Sequence, residues 1–399
     1  MKLGEILSLV RGNTYKSALL SDTEGPFLLG LGSIERGGGF KNANLKRYPG
    51  PSDNRILLHP GDIYVSLKDL TQSCDLLGAV SRVPCNVPEG RLTQDTVKLE
   101  FAEHASNREM QYTYWSLRTP QYRSYCKARG TGTTNMSLSR SDFLAWKLPP
   151  FTPTHDSLIS LFESIESKIA LNNRLNGYLE ELFDIAFRKM LEYADDTWTK
   201  ASLLDIAHYK NGLAMQKFRP VNGDRGLPVL KIRELGQGSC GPDSERCRTD
   251  IEDSVRVHDG DLVFSWSGTL LLAFWAGGDA GLNQHLFKVT SEQYSKWFYY
   301  GWTKYHLNRF IMLAKDRATT MGHIKRSALA ESEVLLPPNE LLEQFTKALQ
   351  PIVDLAIANK TESKKLEQMR NTLLPKLMSG EIDVSKVDLK QLNSHLADC

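Results

Sequence analysis

No uninterrupted stretch of about 18 apolar residues occurs in this 399-residue sequence, so no segment reads as a membrane-crossing helix. The start, Met1-Lys2-Leu3-Gly4-Glu5-Ile6, has no apolar run behind a basic cluster. The six cysteines (Cys74, Cys85, Cys126, Cys240, Cys247, Cys399) form no C-x2-C pair and have no histidine at zinc spacing. They are expected to be free thiols in a reducing, cytoplasmic setting. A G-x4-G-K-[ST] phosphate loop is missing, and Gly30-Leu31-Gly32 starts a dinucleotide loop that Glu35 breaks where the third glycine is needed. Net charge is only +2, so no global basic field announces nucleic acid, although residues 1–150 lean basic while the rest is balanced.

What remains is organised around two long helical patterns. The first runs from Leu148-Pro149-Pro150 to Met190, with Leu158, Leu161, Ile165, Leu175, Leu179 and Leu182 at alternating steps of three and four and Asn172 in mid-seam. The second runs from Leu336-Pro337-Pro338 to Met378, with Leu342, Phe345, Leu349, Ile352, Leu366 and Leu373 on the stripe and Asn359 interrupting it. Heptad spacing of this kind marks coiled-coil helices, and one polar residue per seam fixes register at some cost in stability. About 35 helical residues rise roughly 50 Å.

The segments between the helices repeat as well. Leu3, Ile6 and Gly12 have counterparts at Leu203, Ile206 and Gly212, and His59-Pro-Gly-Asp62 through Ser66 is matched by His258-Asp-Gly-Asp261 through Ser265. Leu92-Thr-Gln94 with Lys98 returns as Leu282-Asn-Gln284 with Lys288, and Thr133-Thr134 as Thr319-Thr320. Four matches in the same order, each followed by a Pro-Pro and a long helix, make an internal duplication with approximate two-fold symmetry. Each copy has short strand signals, such as Phe27–Leu29, Ile63–Val65, Leu77–Val80 and Thr96–Leu99 in the first, where a helix is also expected from Asn107 to Cys126, broken near Pro120. The loops between the anchors diverge, as Glu35–Asn42 does from Glu234–Gly241. Two related sites reading different ligands would need this, and neutral drift would also produce it.

The order of globular unit, Pro-Pro, heptad helix, globular unit and second helix, ending in Leu373-Leu374-Pro375-Lys376-Leu377-Met378-Ser379-Gly380-Glu381-Ile382, resembles the specificity subunit of type I restriction-modification enzymes. The first helix departs from that ending, with Phe187-Arg188-Lys189-Met190 in the corresponding place. The resemblance implies a mixed α/β (α+β) fold: two globular α/β target recognition domains, 1–147 and 193–335, separated by helices 148–192 and 336–378 that pair as an intramolecular antiparallel coiled coil, with a tail at 379–399. It implies a non-catalytic subunit that reads a bipartite, asymmetric site on double-stranded DNA, one domain per half-site. Two modification subunits would supply adenine methylation, and restriction subunits would supply translocation and cleavage. S-adenosylmethionine, ATP and Mg2+ would then belong to those subunits, with no cofactor or metal on this chain.

Phosphate contacts need Lys, Arg, hydroxyls and backbone amides, and base readout needs Arg, Lys, Asn or Gln reaching a groove. In the first domain Arg36, Lys41, Asn42, Lys46, Arg47, Lys68, Arg129, Thr131, Thr133 and Thr134 are the candidates. In the second they are Trp266, Ser267, Lys315, Arg317, Thr319, Thr320, Lys325 and Arg326. Any one of them read singly is a solvated surface residue. Catalytic look-alikes fall away: Leu148-Pro149-Pro150-Phe151 lacks the amide or carboxylate that an adenine methyltransferase places before Pro-Pro, and Asp156 with Glu166 and Lys168 lies on the heptad helix. A stand-alone DNA-modifying or DNA-cleaving enzyme with a dimerising coiled coil, and a scaffold that binds proteins only, are the alternatives.

Overall fold

A computed structural model describes residues 1–41, 45–70, 73–133, 135–221, 223–315 and 324–378. The chain divides into two compact units, Met1–Ile165 with the segment from Met369 onward, and Glu166–Gln368.

In the first unit a four-stranded antiparallel sheet has the order Leu7–Arg11, Thr96–Phe101, Ile63–Ser66, Val80–Arg82. Beside it Phe27–Leu29 runs parallel to Gly90–Leu92, which pairs antiparallel with Leu57–Leu58. Leu29, Leu58, Tyr64, Ala79 and Leu92 fill the space between them. Of the expected strand Leu77–Val80 only Val80 enters the sheet; Gly78 turns at φ 72°, and Tyr122 Oη caps its carbonyl at 3.0 Å. The expected helix is two helices, Asn107–Ser116 and Pro120–Arg129. Ser106 and Glu109 close a capping box on the first, and Pro120 sits where a helix start tolerates it, behind the cap Thr119.

The second unit repeats this plan. Its main sheet has the order His208–Asn211, Leu286–Thr290, Leu262–Ser265, Leu272–Phe274. In its second sheet Leu227–Leu230 runs parallel to Ala280–Leu282, which pairs antiparallel with Arg256–Val257. The repeated residues of the sequence have repeated jobs. Asp62 accepts from the His59 amide at 2.9 Å and from Lys98 Nζ at 2.8 Å; Asp261 accepts from the His258 amide at 2.8 Å and lies 2.9 Å from Lys288 Nζ. One carboxylate thus staples a turn and neutralises a lysine of the neighbouring strand in each copy.

The long helices span Pro153–Leu191 and Asn339–Met378, so both Pro-Pro pairs stay outside. In the first unit Leu158, Ile159, Leu161, Phe162 and Ile165 are buried, Phe162 lies 5.0 Å from the Trp115 ring, and Glu163 takes Trp115 Nε1 at 2.8 Å and Arg82 Nη1 at 2.9 Å. In the second unit the helices run antiparallel: Asn172 Nδ2 donates to Glu362 Oε2 at 2.6 Å, and, further along, Asn176 Nδ2 donates to the Ala356 carbonyl at 3.3 Å. Asn172, Leu179, Asn359 and Leu366 are buried on this seam, whereas Leu349 is buried in the globular core and Leu342, Phe345 and Ile352 are half-buried against that core. Leu175 is half-buried toward the outer face, and Leu373, in the first unit, is half-buried.

Leu182 is not a seam residue. It is 50% exposed, and Phe183, Phe187 and Met190 are buried instead. A straight helix at 3.6 residues per turn drifts about 20° per heptad, so the buried face passes from Leu179 to Phe183 and Phe187 in steps of four. These rings enter the core of the globular domain, where Phe183 lies 5.1 Å from Tyr300 and Phe187 5.5 Å from Trp302.

Candidate nucleic-acid interface

The strand Ile63–Ser66 leaves its sheet through Leu67, whose carbonyl receives the amide of Leu138 at 2.9 Å. The strand Leu262–Ser265 leaves through Trp266, whose carbonyl receives the amide of Ile324 at 3.0 Å. The repeated serines behind these exits do the same work: Ser66 Oγ donates to the Lys68 carbonyl and Ser265 Oγ to the Ser267 carbonyl. Each domain therefore joins two segments that are far apart in sequence, the strand exit and the chain that follows its Thr-Thr stretch.

In the first domain this join gathers cations. Lys68 and Asp69 pair with Ser137 and Met136, and Ser137 exchanges backbone hydrogen bonds with Thr131 at 2.9 and 2.8 Å. Thr131 and Thr133 are exposed in the loop that follows Arg129. Arg129 lies 3.8 Å over the Tyr125 ring and 3.9 Å from Asp142, and Lys68 Nζ is 2.8 Å from Asp95. Asp75 collects Arg36 at 4.0 Å and Lys127 at 3.4 Å, and its carbonyl takes the Gly37 amide. Lys127 was not singled out in the sequence because its partner is 52 residues away. Exposed pairs like these contribute about 0–1 kcal/mol, so their cations can exchange a carboxylate for a phosphate at little cost.

Lys46 and Arg47 lie apart from this group. Lys46 Nζ is 2.6 Å from Asp22, and Arg47 donates to the Thr23 carbonyl at 3.2 Å while its guanidinium covers Phe27 at 4.1 Å. Lys41 is half-buried, its amide bonded to the Ser33 carbonyl. Asn42 and Thr134 lie outside the described residues.

In the second domain Lys325 and Arg326 are exposed directly after Ile324, beside the Trp266 carbonyl, and Lys315 is exposed at the end of the helix Lys296–Lys315. Trp266 is half-buried, with Nε1 donating to Asn211 Oδ1 at 3.1 Å and its ring 5.8 Å from Phe287. Ser267 is corrected: it is 1% exposed, tucked into the turn closed by Ser265, and its side chain cannot reach a ligand. Arg317, Thr319 and Thr320 lie outside the described residues.

Residues 195–368 match the family model described as a type I restriction modification DNA specificity domain. The type I restriction enzyme MjaIX specificity subunit of Methanocaldococcus jannaschii is 22% identical over 310 residues, covering 69% of this chain and 70% of that protein. The chain is thus similar to type I restriction specificity subunits, and its residues 195–368 match their DNA specificity domain. The EcoBI specificity subunit of Escherichia coli is also similar, 27% identical over 181 residues, which cover 45% of this chain and 36% of that protein. The crystal structure of the type I restriction-modification S subunit from M. genitalium shares the fold, with a TM-score of 0.56 at 14% identity over 94% of this chain and 95% of that one.

A specificity subunit recognises DNA, and catalysis belongs to other subunits of the enzyme. Burial pushes the Cys126 thiol up to about 11 and the Cys240 thiol up to about 12, which keeps both protonated at neutral pH. Among the described residues no helix is long and apolar enough to cross a membrane, and no three His, Cys, Asp or Glu side chains gather as a metal site.

Proposed function

We propose that the chain reads a bipartite, asymmetric site on double-stranded DNA in the cytoplasm, one half-site per globular domain, and that the long helices set the spacing between the halves. The observation that carries this is the duplicated strand exit at Leu67 and Trp266, which in each copy brings basic and polar residues of two distant segments to one edge. On this reading Arg36, Lys68, Lys127, Arg129, Thr131 and Thr133 serve the first half-site, and Lys315, Lys325 and Arg326 the second. Trp266 holds the second edge in shape. Arg317, Thr319, Thr320, Asn42 and Thr134 are assigned to the same edges on sequence alone, and Lys41, Lys46 and Arg47 to a flanking phosphate contact.

Two modification subunits and the restriction subunits complete the enzyme and carry S-adenosylmethionine, ATP and Mg2+. A docking surface for a modification subunit is supported by the outer face of the first long helix. Leu171, Tyr178, Leu182 and Ile185 are 48%, 61%, 50% and 60% exposed there, and with half-buried Leu175 they form a second heptad stripe. An apolar stripe of this length left in water marks an interaction site.

The test is to map methyl-adenine genome-wide in cells with the modification subunits, with and without this chain. One split motif that appears only with the chain is expected, and no chain-dependent motif overturns the reading. Inserting seven residues at matched positions in both helices should lengthen the gap and leave both half-site sequences unchanged. Altered half-sites would refute the spacer role. Footprinting that finds no protected DNA would favour a protein-only scaffold.

A further inference from the structure

The two domains differ most where the strand leaves the sheet. Residues 67–79 join the strands Ile63–Ser66 and Val80–Arg82 of the first domain, whereas residues 266–271 suffice between Leu262–Ser265 and Leu272–Phe274 of the second. The extra chain is held at its base. Asp69, fully buried, accepts from the Leu76 amide at 2.6 Å, which closes the excursion between them. Arg123, also buried, donates to the carbonyls of Leu77 at 2.6 Å, Asp75 at 2.7 Å and Cys74 at 3.2 Å. Cys74 adopts φ 55°, a left-handed conformation that a non-glycine residue holds only when its surroundings impose it.

From this frame Leu70 projects with 63% of its surface exposed. A lone exposed leucine is ordinary. This one directly follows Asp69, whose bond to Leu76 closes the excursion beside Asp75, the partner of Arg36 and Lys127, and it stands two residues after Lys68. The shorter connection in the second domain exposes no large apolar side chain. An exposed apolar side chain on a rigid base, with cations paired at that base, has the form of a groove reader: the cations take phosphates, and the apolar side chain meets base edges. In the major groove the apolar feature of a base edge is the thymine C5-methyl group.

We propose that Leu70 is a specificity-determining residue of the first domain, making apolar contact with the C5-methyl group of one thymine in its half-site. This rests on the proposed reading of DNA by that domain. Once the motif is mapped, the assembled complex with its modification subunits is titrated with duplexes in which each thymine of the motif is replaced in turn by deoxyuridine, which removes only the methyl group. With the unaltered chain, affinity should fall about fourfold at one position of one half-site, the size expected for one buried methyl. With Leu70→Ala that position should become insensitive while the others keep their response, and Leu70→Met should restore the sensitivity. The inference is overturned if no deoxyuridine position matters to the unaltered chain. Equal sensitivity in Leu70→Ala, or uniform weakening at all sequences, overturns it too. Failure of the underlying reading would look different, because the unaltered chain would then yield no motif.

Discussion

Asn172 Nδ2 reaches the backbone carbonyl of Asn359 at 3.4 Å, and Asn359 Nδ2 in turn reaches Asn176 Oδ1 at 3.1 Å. The two mid-seam asparagines of the duplicated helices therefore meet through the Asn359 backbone, and Asn172 also holds Glu362 at 2.6 Å next to Lys168. An amide buried in an apolar seam is tolerable only in the register that satisfies it. Asn172→Ala should lower stability by about 1 kcal/mol, since it strips a donor from the half-buried Glu362 carboxylate and leaves a gap at a buried position. The midpoint of denaturant unfolding measures this, and an unchanged midpoint would remove Asn172 from the register device.

Gly12 and Gly212 show why glycine recurs at the start of each copy. A Cβ on Gly12 would lie 2.1 Å from the Thr93 carbonyl oxygen, and one on Gly212 would lie 2.3 Å from that of Leu282. Backbone stands in the way at both sites, so Gly12→Ala and Gly212→Ala should each cost about 1–3 kcal/mol. Thermal unfolding of the two variants tests the equivalence, which fails if one substitution is silent.

His258 lies between two carboxylates, Asp253 at 3.0 Å from Nε2 and Asp279 at 2.8 Å from Nδ1, an arrangement its first-copy counterpart His59 lacks. Asp253 first and Asp279 second raise its pKa, and nearby Lys288 opposes them. Because the folded value is raised, the contribution to stability is complete below the unfolded pKa of about 6.5 and is lost as pH climbs through the folded value. His258→Gln should therefore melt lower than the parent at about pH 5.5, with the gap closing at about pH 9. A gap that widens with pH would mean the ring is not doubly protonated between the carboxylates. His258 is a surface group, so the effect should be small.

The outer stripe of the first long helix can be tested without disturbing the seam. Leu182→Glu with Ile185→Glu alters side chains that are 50% and 60% exposed, so stability should shift by about 0.5 kcal/mol or less. Co-purification with the modification subunits should be lost. Retention of those subunits would place their contact elsewhere.

Much of the fold was legible in the sequence because the repeated residues carry local work that leaves a fixed signature. His59-x-x-Asp62 and His258-x-x-Asp261 are turns closed by their own carboxylates, Ser106 and Glu109 cap a helix three residues apart, and the heptads declare long helices. Leu182 was misread because heptad counting assumes a helix partner throughout, whereas that end of the helix packs into a globular core. Ser267 was misread because a polar residue after a strand looks exposed until the turn around it is known.

The sequence alone determined that there are two copies of one domain, each followed by a heptad helix with a polar break, since periodicity and turn chemistry act over a few residues. Only the tertiary structure decided which cations share an edge. Arg36 meets Lys127 through Asp75, and Leu67 meets Leu138, across separations that no local pattern encodes. It also decided that Leu70 stands out in water, because the exposure of a side chain follows from buried anchors, Asp69 and Arg123, that lie elsewhere in the chain.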